Sequence, residues 1–308
     1  MTIRMKAIQR RIQAVQSTEK ITETMELVSG ARLHQMKILN GYVRGPLDRL
    51  KIAMESMINR EELVPERWKK EGKGVPLHII FTGYRGLCGS YNAAVERFAE
   101  RHIDGQRDKL LFLGAHGAGY FTSRAYREYR PAEEAGARQK REAQGLERPG
   151  LRPNDEISWE ELRHLAEKIF QAFLRGSFCR VDMFYNAWQN SIESRPIRQT
   201  LLPFVREERE DYAEDPVLYE CDKGNDSLQG LAETYLTLRL HAVIAESSLC
   251  EYSARRMAMK NATDTAKEMI ETLKTEYNRA RQEVITREII EISSGSEVLK
   301  KKRGRQGE

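Results

Sequence analysis

The sequence predicts an α/β chain in which long N- and C-terminal helices pair as an antiparallel coiled coil, with a Rossmann-like α/β domain inserted between them. Three observations predict it. An apolar stripe runs from Leu231 to Val284 in alternating steps of four and three residues, the 3.5-residue repeat of a coiled-coil seam. The chain opens on a shorter stripe of similar rhythm. Between the two, short strand-type runs alternate with helical ones, the pattern of a mainly parallel sheet.

Taken in order, residues 1–59 form the first coiled-coil segment. Ile8, Ile12, Val15, Ile21, Met25, Val28, Met36 and Leu39 supply its apolar face. Gly41, Gly45 and Pro46 allow a bend before the helix resumes to Asn59. The polar stretch Arg60–Gly74 reads as a linker. Residues 75–205 form the inserted domain, with strands expected at Leu77–Phe81, Leu110–Leu113, Arg180–Tyr185 and Arg198–Phe204 and helices at Asn92–His102 and Trp159–Leu174. Within it, 128–155 is charged and broken by Gly and Pro, and reads as a flexible excursion. Residues 217–296 form the closing helix, followed by a basic tail at 297–308.

The closing stripe is Leu231, Tyr235, Leu238, Ala242, Ala245, Leu249, Tyr252, Arg256, Met259, Thr263, Ala266, Ile270, Leu273, Tyr277, Ala280 and Val284. Only Arg256 and Thr263 interrupt it, and no Gly or Pro falls between Leu231 and Ser294. At 1.5 Å per residue that stretch is about 95 Å long, against about 60 Å for the opening helix up to Asn40. The expected seam is Ile8, Ile12, Val15 and Met25 against Leu249, Tyr252, Ile270, Leu273 and Tyr277. Some 30 Å of the closing helix is then left without a partner in its own chain.

Composition narrows the classes. The chain has 308 residues, 31% charged and 40% hydrophobic, and no apolar run approaches the roughly 18–20 residues of a membrane span. The basic, amphipathic start resembles a mitochondrial transit segment, but its helical period runs on to Asn40 without a cleavage-like break. Cys88, Cys179, Cys221 and Cys250 are scattered, which points to a reducing compartment and away from zinc. The formal charge of +5 is loaded on the first helix and the tail. Solvated faces, nucleic acid, anionic lipid or an acidic protein partner would each suit that charge.

Chemistry-bearing patterns are few. Thr82–Ser90 joins a strand to a helix and carries three glycines, which would let backbone N–H groups approach a phosphate. It lacks the Gly-Lys-Ser/Thr ending of a nucleotide loop and contains no GxGxxG. The plainer reading is a tight turn with Ser90 or Asn92 as helix cap. A lowered thiol pKa at Cys88, beside Arg85, is a weaker idea, with no histidine nearby in sequence. No catalytic, cofactor-binding or metal-binding residue is expected. The far end of the closing helix is more specific: the polar collar Glu276–Gln282 precedes Val284, Ile285, Ile289, Ile290 and Ile292. Isoleucines on several faces of a terminus predict enclosure by another protein.

Three stretches carry a family resemblance: RRIQAVQSTEKITETMELV, RGLCGSYN, and AESSLCEYSARRMAMKNATDTAKEMIETLKTEYNRARQEVITREIIEI. They resemble the gamma subunits of F-type ATP synthases. The resemblance implies a rotor shaft, one copy per complex, turning within a ring of alpha and beta subunits. It also implies epsilon and the membrane c-ring as partners of the α/β domain, and a peripheral place on the cytoplasmic face of a bacterial plasma (inner) membrane. It implies no bound nucleotide and no nucleic acid. By match to the family, Arg281 and Gln282 engage the catch loops of the ring with Thr286 close by, and Met25 faces acidic lever segments. Arg255, Ile289 and Ile292 complete the expected partner contacts. Tyr84 stands where the family usually has Asp, and Arg256 where it has an apolar residue; with the long excursion and the basic tail, these departures suggest a divergent or alternate-type ATPase. The competing reading is a basic coiled-coil scaffold or nucleic-acid module with a nucleotide-binding insert.

Overall fold

The computed structural model describes residues 3–58, 64–105, 107–124, 126–129, 158–204 and 225–304. In chain order the elements are α1 (Ile3–Ile58), α2 (Glu66–Lys69), β1 (Val75–Phe81), α3 (Tyr91–Glu100), β2 (Lys109–Leu113), α4 (Ala115–Thr122), β3 (Arg127–Glu128), α5 (Trp159–Leu174), β4 (Phe178–Trp188), β5 (Ser194–Leu202) and α6 (Asn225–Gly304). They form two compact units, Ser29–Met257 and Met1–Val28 with Ala258–Glu308.

The larger unit is built on a five-stranded sheet in the order β3-β2-β1-β4-β5. β1 pairs in parallel with β2 and β4, β2 in parallel with β3, and β5 returns antiparallel to β4. Alternation along the strands sends side chains to opposite faces. Leu77, Ile79 and Phe81 of β1, with Val181, Met183 and Tyr185 of β4, meet α5 and the α6 residues Ala232, Leu236, Leu240 and Val243. Ile80, Leu110, Phe112 and Phe184 point the other way, onto Val95 and Ala99 of α3 and Phe121 of α4. Both faces are therefore covered, as a largely parallel sheet requires. A capping box starts α5: Ser158 accepts from the Glu161 backbone while Glu161 reaches back to the Ser158 N–H.

The first part of α6 has two working faces. One lies on the sheet. The other gathers α1: Val43 and Leu47 cluster with Ala242, and Leu33 with Leu249 and Tyr252. At Arg256, where the apolar stripe breaks, the side chain lies outside, its stem 3.8 Å from where a Cβ on Gly30 would be. A glycine opposite an arginine accommodates the mismatch.

In the smaller unit Arg4 meets Glu283 at 3.6 Å and the Thr263 hydroxyl lies 2.7 Å from that of Thr22, so the helix ends run antiparallel. Met259, Thr263, Ala266, Ile270, Leu273, Tyr277, Ala280 and Val284 are buried or half-buried on the α6 side. The α1 side departs from expectation. Met5, Ile8, Ile12 and Val15 begin the seam, but the same rhythm carries on through Glu19, Thr22 and Glu26. Ile21 and Val28 lie one or two residues off it, roughly 100–200° around the helix, and are 60% and 57% exposed.

Other expectations needed correction. α1 continues through Gly41, Gly45 and Pro46 as one helix; Gly45 relieves the restriction a proline imposes on the residue before it. The linker contains α2, which buries Trp68 against Phe170 and Phe204. α4 and β3 were not foreseen, and Glu128, the expected start of the excursion, belongs to β3. Tyr129 after it is buried in the core. From residue 130 to 155 the excursion lies outside the described residues, as does 217–224 of the closing segment. α6 runs on to Gly304, so the first part of the expected tail is helical.

Candidate functional site

Two places carry the residues singled out by sequence. The first is the turn after β1. In doubly wound sheets ligands bind beyond the carboxyl ends of the strands, where strand order reverses; with the order β3-β2-β1-β4, that point lies beside β1. Here the chain fills it with its own helix. The Glu251 carboxylate packs on Gly83 so closely that a Cβ there would sit 2.8–3.0 Å from its atoms. Arg255 donates to the carbonyls of Arg85 (3.2 Å) and Gly86 (3.3 Å) and pairs with Glu251 at 2.5 Å. The Tyr91 hydroxyl lies 2.7 Å from that of Ser247. A phosphate approaching Gly83 would have to displace the Glu251 carboxylate and be repelled by it.

The turn itself is held from several sides. The Gly83 N–H donates to Asn92 Oδ1 at 2.8 Å, and Asn92 Nδ2 to the Cys88 sulfur at 3.3 Å. Asn92 is thus a latch for the turn, and the Ser90 side chain makes no cap hydrogen bond. Thr82 Oγ1 accepts from the Gly117 N–H at 2.9 Å. Leu87 sits at φ 63° with its side chain 63% exposed, a left-handed conformation that costs an L-residue roughly 1–2 kcal/mol. Burial pushes the Cys88 thiol above its ordinary value and Glu251 adds to the rise, against the pull of Arg255. The weaker idea of a lowered Cys88 thiol is thus not met: the thiol is raised, and the cation beside it is Arg255. Burial alone would lower the Arg255 pKa, but Glu251 outweighs it and holds the guanidinium charged. Arg255, placed by sequence among the partner contacts, is only 7% exposed and turns inward.

The second place is the end of α6. Arg281, Gln282 and Thr286 are exposed, and every side chain from Ile285 to Ser294 is exposed. Ile285, Ile289, Ile290 and Ile292 are 46%, 61%, 58% and 73% exposed. At 100° per residue, Ile285, Ile289 and Ile292 share one face and Ile290 stands about 140° from Ile285. From Val284 to Gly304 the helix extends about 30 Å. Glu283, which takes Arg4 and Arg279, closes the paired region. Met25, on the opposing helix, is half-buried beside the seam.

One buried polar cluster was invisible in the sequence. His78 lies between Asp108 (2.9 Å) and Asp182 (3.3 Å, out of line for a hydrogen bond), and Asp182 also accepts from Arg180, Arg198 and Thr200 at 2.9 Å each. Burial alone would raise the Asp182 pKa; its hydrogen-bonding neighbours and the two arginines outweigh that and lower it. The cluster joins β1, β4 and β5 and reads as a structural tie. Among the described residues no group of three or more His, Cys, Asp or Glu could hold a metal ion, and no helix is long and apolar enough to cross a membrane.

A helix end with bare isoleucines and a doubly wound domain whose crevice is filled by its own helix suit a subunit of a larger assembly. The comparisons with known proteins give the particular family. The family model described as ATP synthase matches residues 4–299. An ATP synthase gamma chain of Symbiobacterium thermophilum is 33% identical, over 96% of this chain and 98% of its own. One of Bdellovibrio bacteriovorus is 31% identical, over 96% and 99%. Among solved structures, a chain of the Euglena gracilis mitochondrial ATP synthase rotor shares the fold with a TM-score of 0.61 at 14% identity, covering 91% of this chain and 98% of that one. A chain of the Tetrahymena thermophila central stalk and c-ring gives 0.51 at 19% identity, over 79% and 99%. The chain belongs to the ATP synthase gamma family.

Proposed function

We infer that this chain is the central rotor shaft of an F-type ATP synthase, coupling ion translocation in the membrane sector to ATP synthesis or hydrolysis in the alpha/beta ring. The uncovered isoleucine end of α6 is the observation that carries the reading. Burying an isoleucine stabilises by roughly 1.5–3 kcal/mol, so four left in water on one short stretch call for a surrounding partner. The chain contributes no catalysis: its role is conformational, and rotation changes the state of the catalytic sites only through contacts that differ between their conformations. Arg281, Gln282, Thr286, Ile289 and Ile292, with Met25, make those contacts with the alpha/beta ring. Arg255 acts through the turn it holds. Epsilon and the c-ring engage the α/β domain, and the complex keeps the chain peripheral to the cytoplasmic face of a bacterial plasma membrane.

The nucleic-acid and nucleotide readings lose their support. Neither gives the isoleucines a role, and Glu251 stands where a phosphate would go. The test is Arg281→Ala and Gln282→Ala in the purified, membrane-reconstituted complex. Truncating Arg281, as one partner of a buried interfacial charge pair, costs about 2–5 kcal/mol, and removing the Gln282 amide from a buried hydrogen bond costs about 1–3 kcal/mol, so both variants lower ion pumping per ATP hydrolysed. Unchanged pumping and hydrolysis in both would contradict the contact assignment.

A further inference from the structure

The clasp between α6 and the turn after β1 does more than close a crevice. We propose that Arg255 and Glu251 are positioning residues of the rotor, fastening α6 to the α/β domain so that the two turn together without slack. This rests on the rotor reading above.

Four observations point the same way. Arg255 reaches two consecutive carbonyls, Arg85 and Gly86, some 170 residues away in sequence. Glu251, one helical turn earlier, holds the guanidinium and rests on Gly83, at the start of the same turn. The first half of the turn, Gly83 to Gly86, is therefore gripped at two points by adjacent rungs of one helix. Leu87, next to the gripped carbonyls, is kept in a left-handed conformation that persists only where the surroundings over-determine it. The turn continues β1 and is tied to β2, its Thr82 N–H donating to the Leu113 carbonyl, and to α4, whose His116 N–H donates to the Gly83 carbonyl. Force applied to the helix at Arg255 thus enters two strands directly. Apolar packing resists separation of helix and sheet but resists sliding less, because it is non-directional; a charged, multiply bonded clasp fixes the angle. Arginine suits the position because its planar fork can meet two acceptors at once, whereas a lysine offers a single point charge.

The test uses the whole membrane-reconstituted complex at matched abundance. Arg255→Met removes the clasp from the helix side. Gly83→Ala pushes Glu251 away from the turn side while the Arg255 side chain itself is kept. Two readouts are taken: ions pumped per ATP hydrolysed, and maleimide labelling of Cys88, which is 2% exposed in the gripped turn. The inference predicts that both variants make Cys88 reactive and lower the pumping ratio roughly two- to thirtyfold. A purely structural role would lower the amount of complex and leave the ratio per complex unchanged. Arg255→Lys, with charge but no fork, gives an intermediate ratio, and serves if the other variants do not assemble. A wild-type ratio in all variants that assemble overturns the inference, whether or not Cys88 becomes reactive. Arg281→Ala in the same preparation separates the two ideas: if it uncouples while the clasp variants do not, the clasp alone is refuted, and if it too has no effect, the contact assignment beneath it fails.

Discussion

Single side chains settle which charges are fasteners and which are contacts. Glu251 and Arg255 are spaced for an i,i+4 pair that any reader of the sequence can see, but their target is a turn on the far side of the sequence, and no local pattern reveals it. The same holds for His78 and Asp182, each an isolated polar residue in an apolar strand until the strands pair. Asp182 carries a definite pH consequence. Its pKa is lowered in the folded chain, so its stabilising contribution is fully present above the ordinary carboxylate value of about 3.9. It is lost as pH falls through the depressed folded value. In acid titration of the purified chain followed by circular dichroism, Asp182→Asn should lower stability at neutral pH and flatten the decline below about pH 4. An acid limb identical to that of the native chain would remove Asp182 from the account.

Helices were more legible than side chains because a heptad seam is a local period. Every position of the closing stripe except Arg256 is buried or half-buried. The exception is explained by Gly30, a residue with no period to announce it. The opening helix was harder. Its seam passes through Glu19, Thr22, Glu26 and Ser29 rather than the nearest apolar residues, because opposite Thr22 stands a threonine that offers it a hydrogen bond. α4 escaped notice because its sequence AHGAGYFT is poor in helix propensity. Gly114 and Gly117 are there for packing: a Cβ on either would lie within 3.0 Å of Thr82. The end of α6 yields its own prediction. Ile289→Ser with Ile292→Ser should leave the melting of the isolated chain within about 0.5 kcal/mol of native, since neither side chain is covered by its own chain. The same double variant should weaken assembly with the alpha and beta subunits, measured by co-purification. A large loss of stability in the isolated chain would mean that those residues have an internal partner.

For the molecule as a whole, family membership was legible in two long stretches and one short central motif, and the doubly wound insert in its alternation of strand and helix. What could not be read was what occupies the crevice of such a domain. The answer is a contact between segments about 170 residues apart, in which α6 takes the place of a ligand. The most direct measurement is to fix the alpha/beta ring to a surface, tether a bead to the α/β domain of this chain, and supply ATP. The account predicts sustained rotation in one direction. Steady ATP hydrolysis by complexes whose beads do not turn would contradict it.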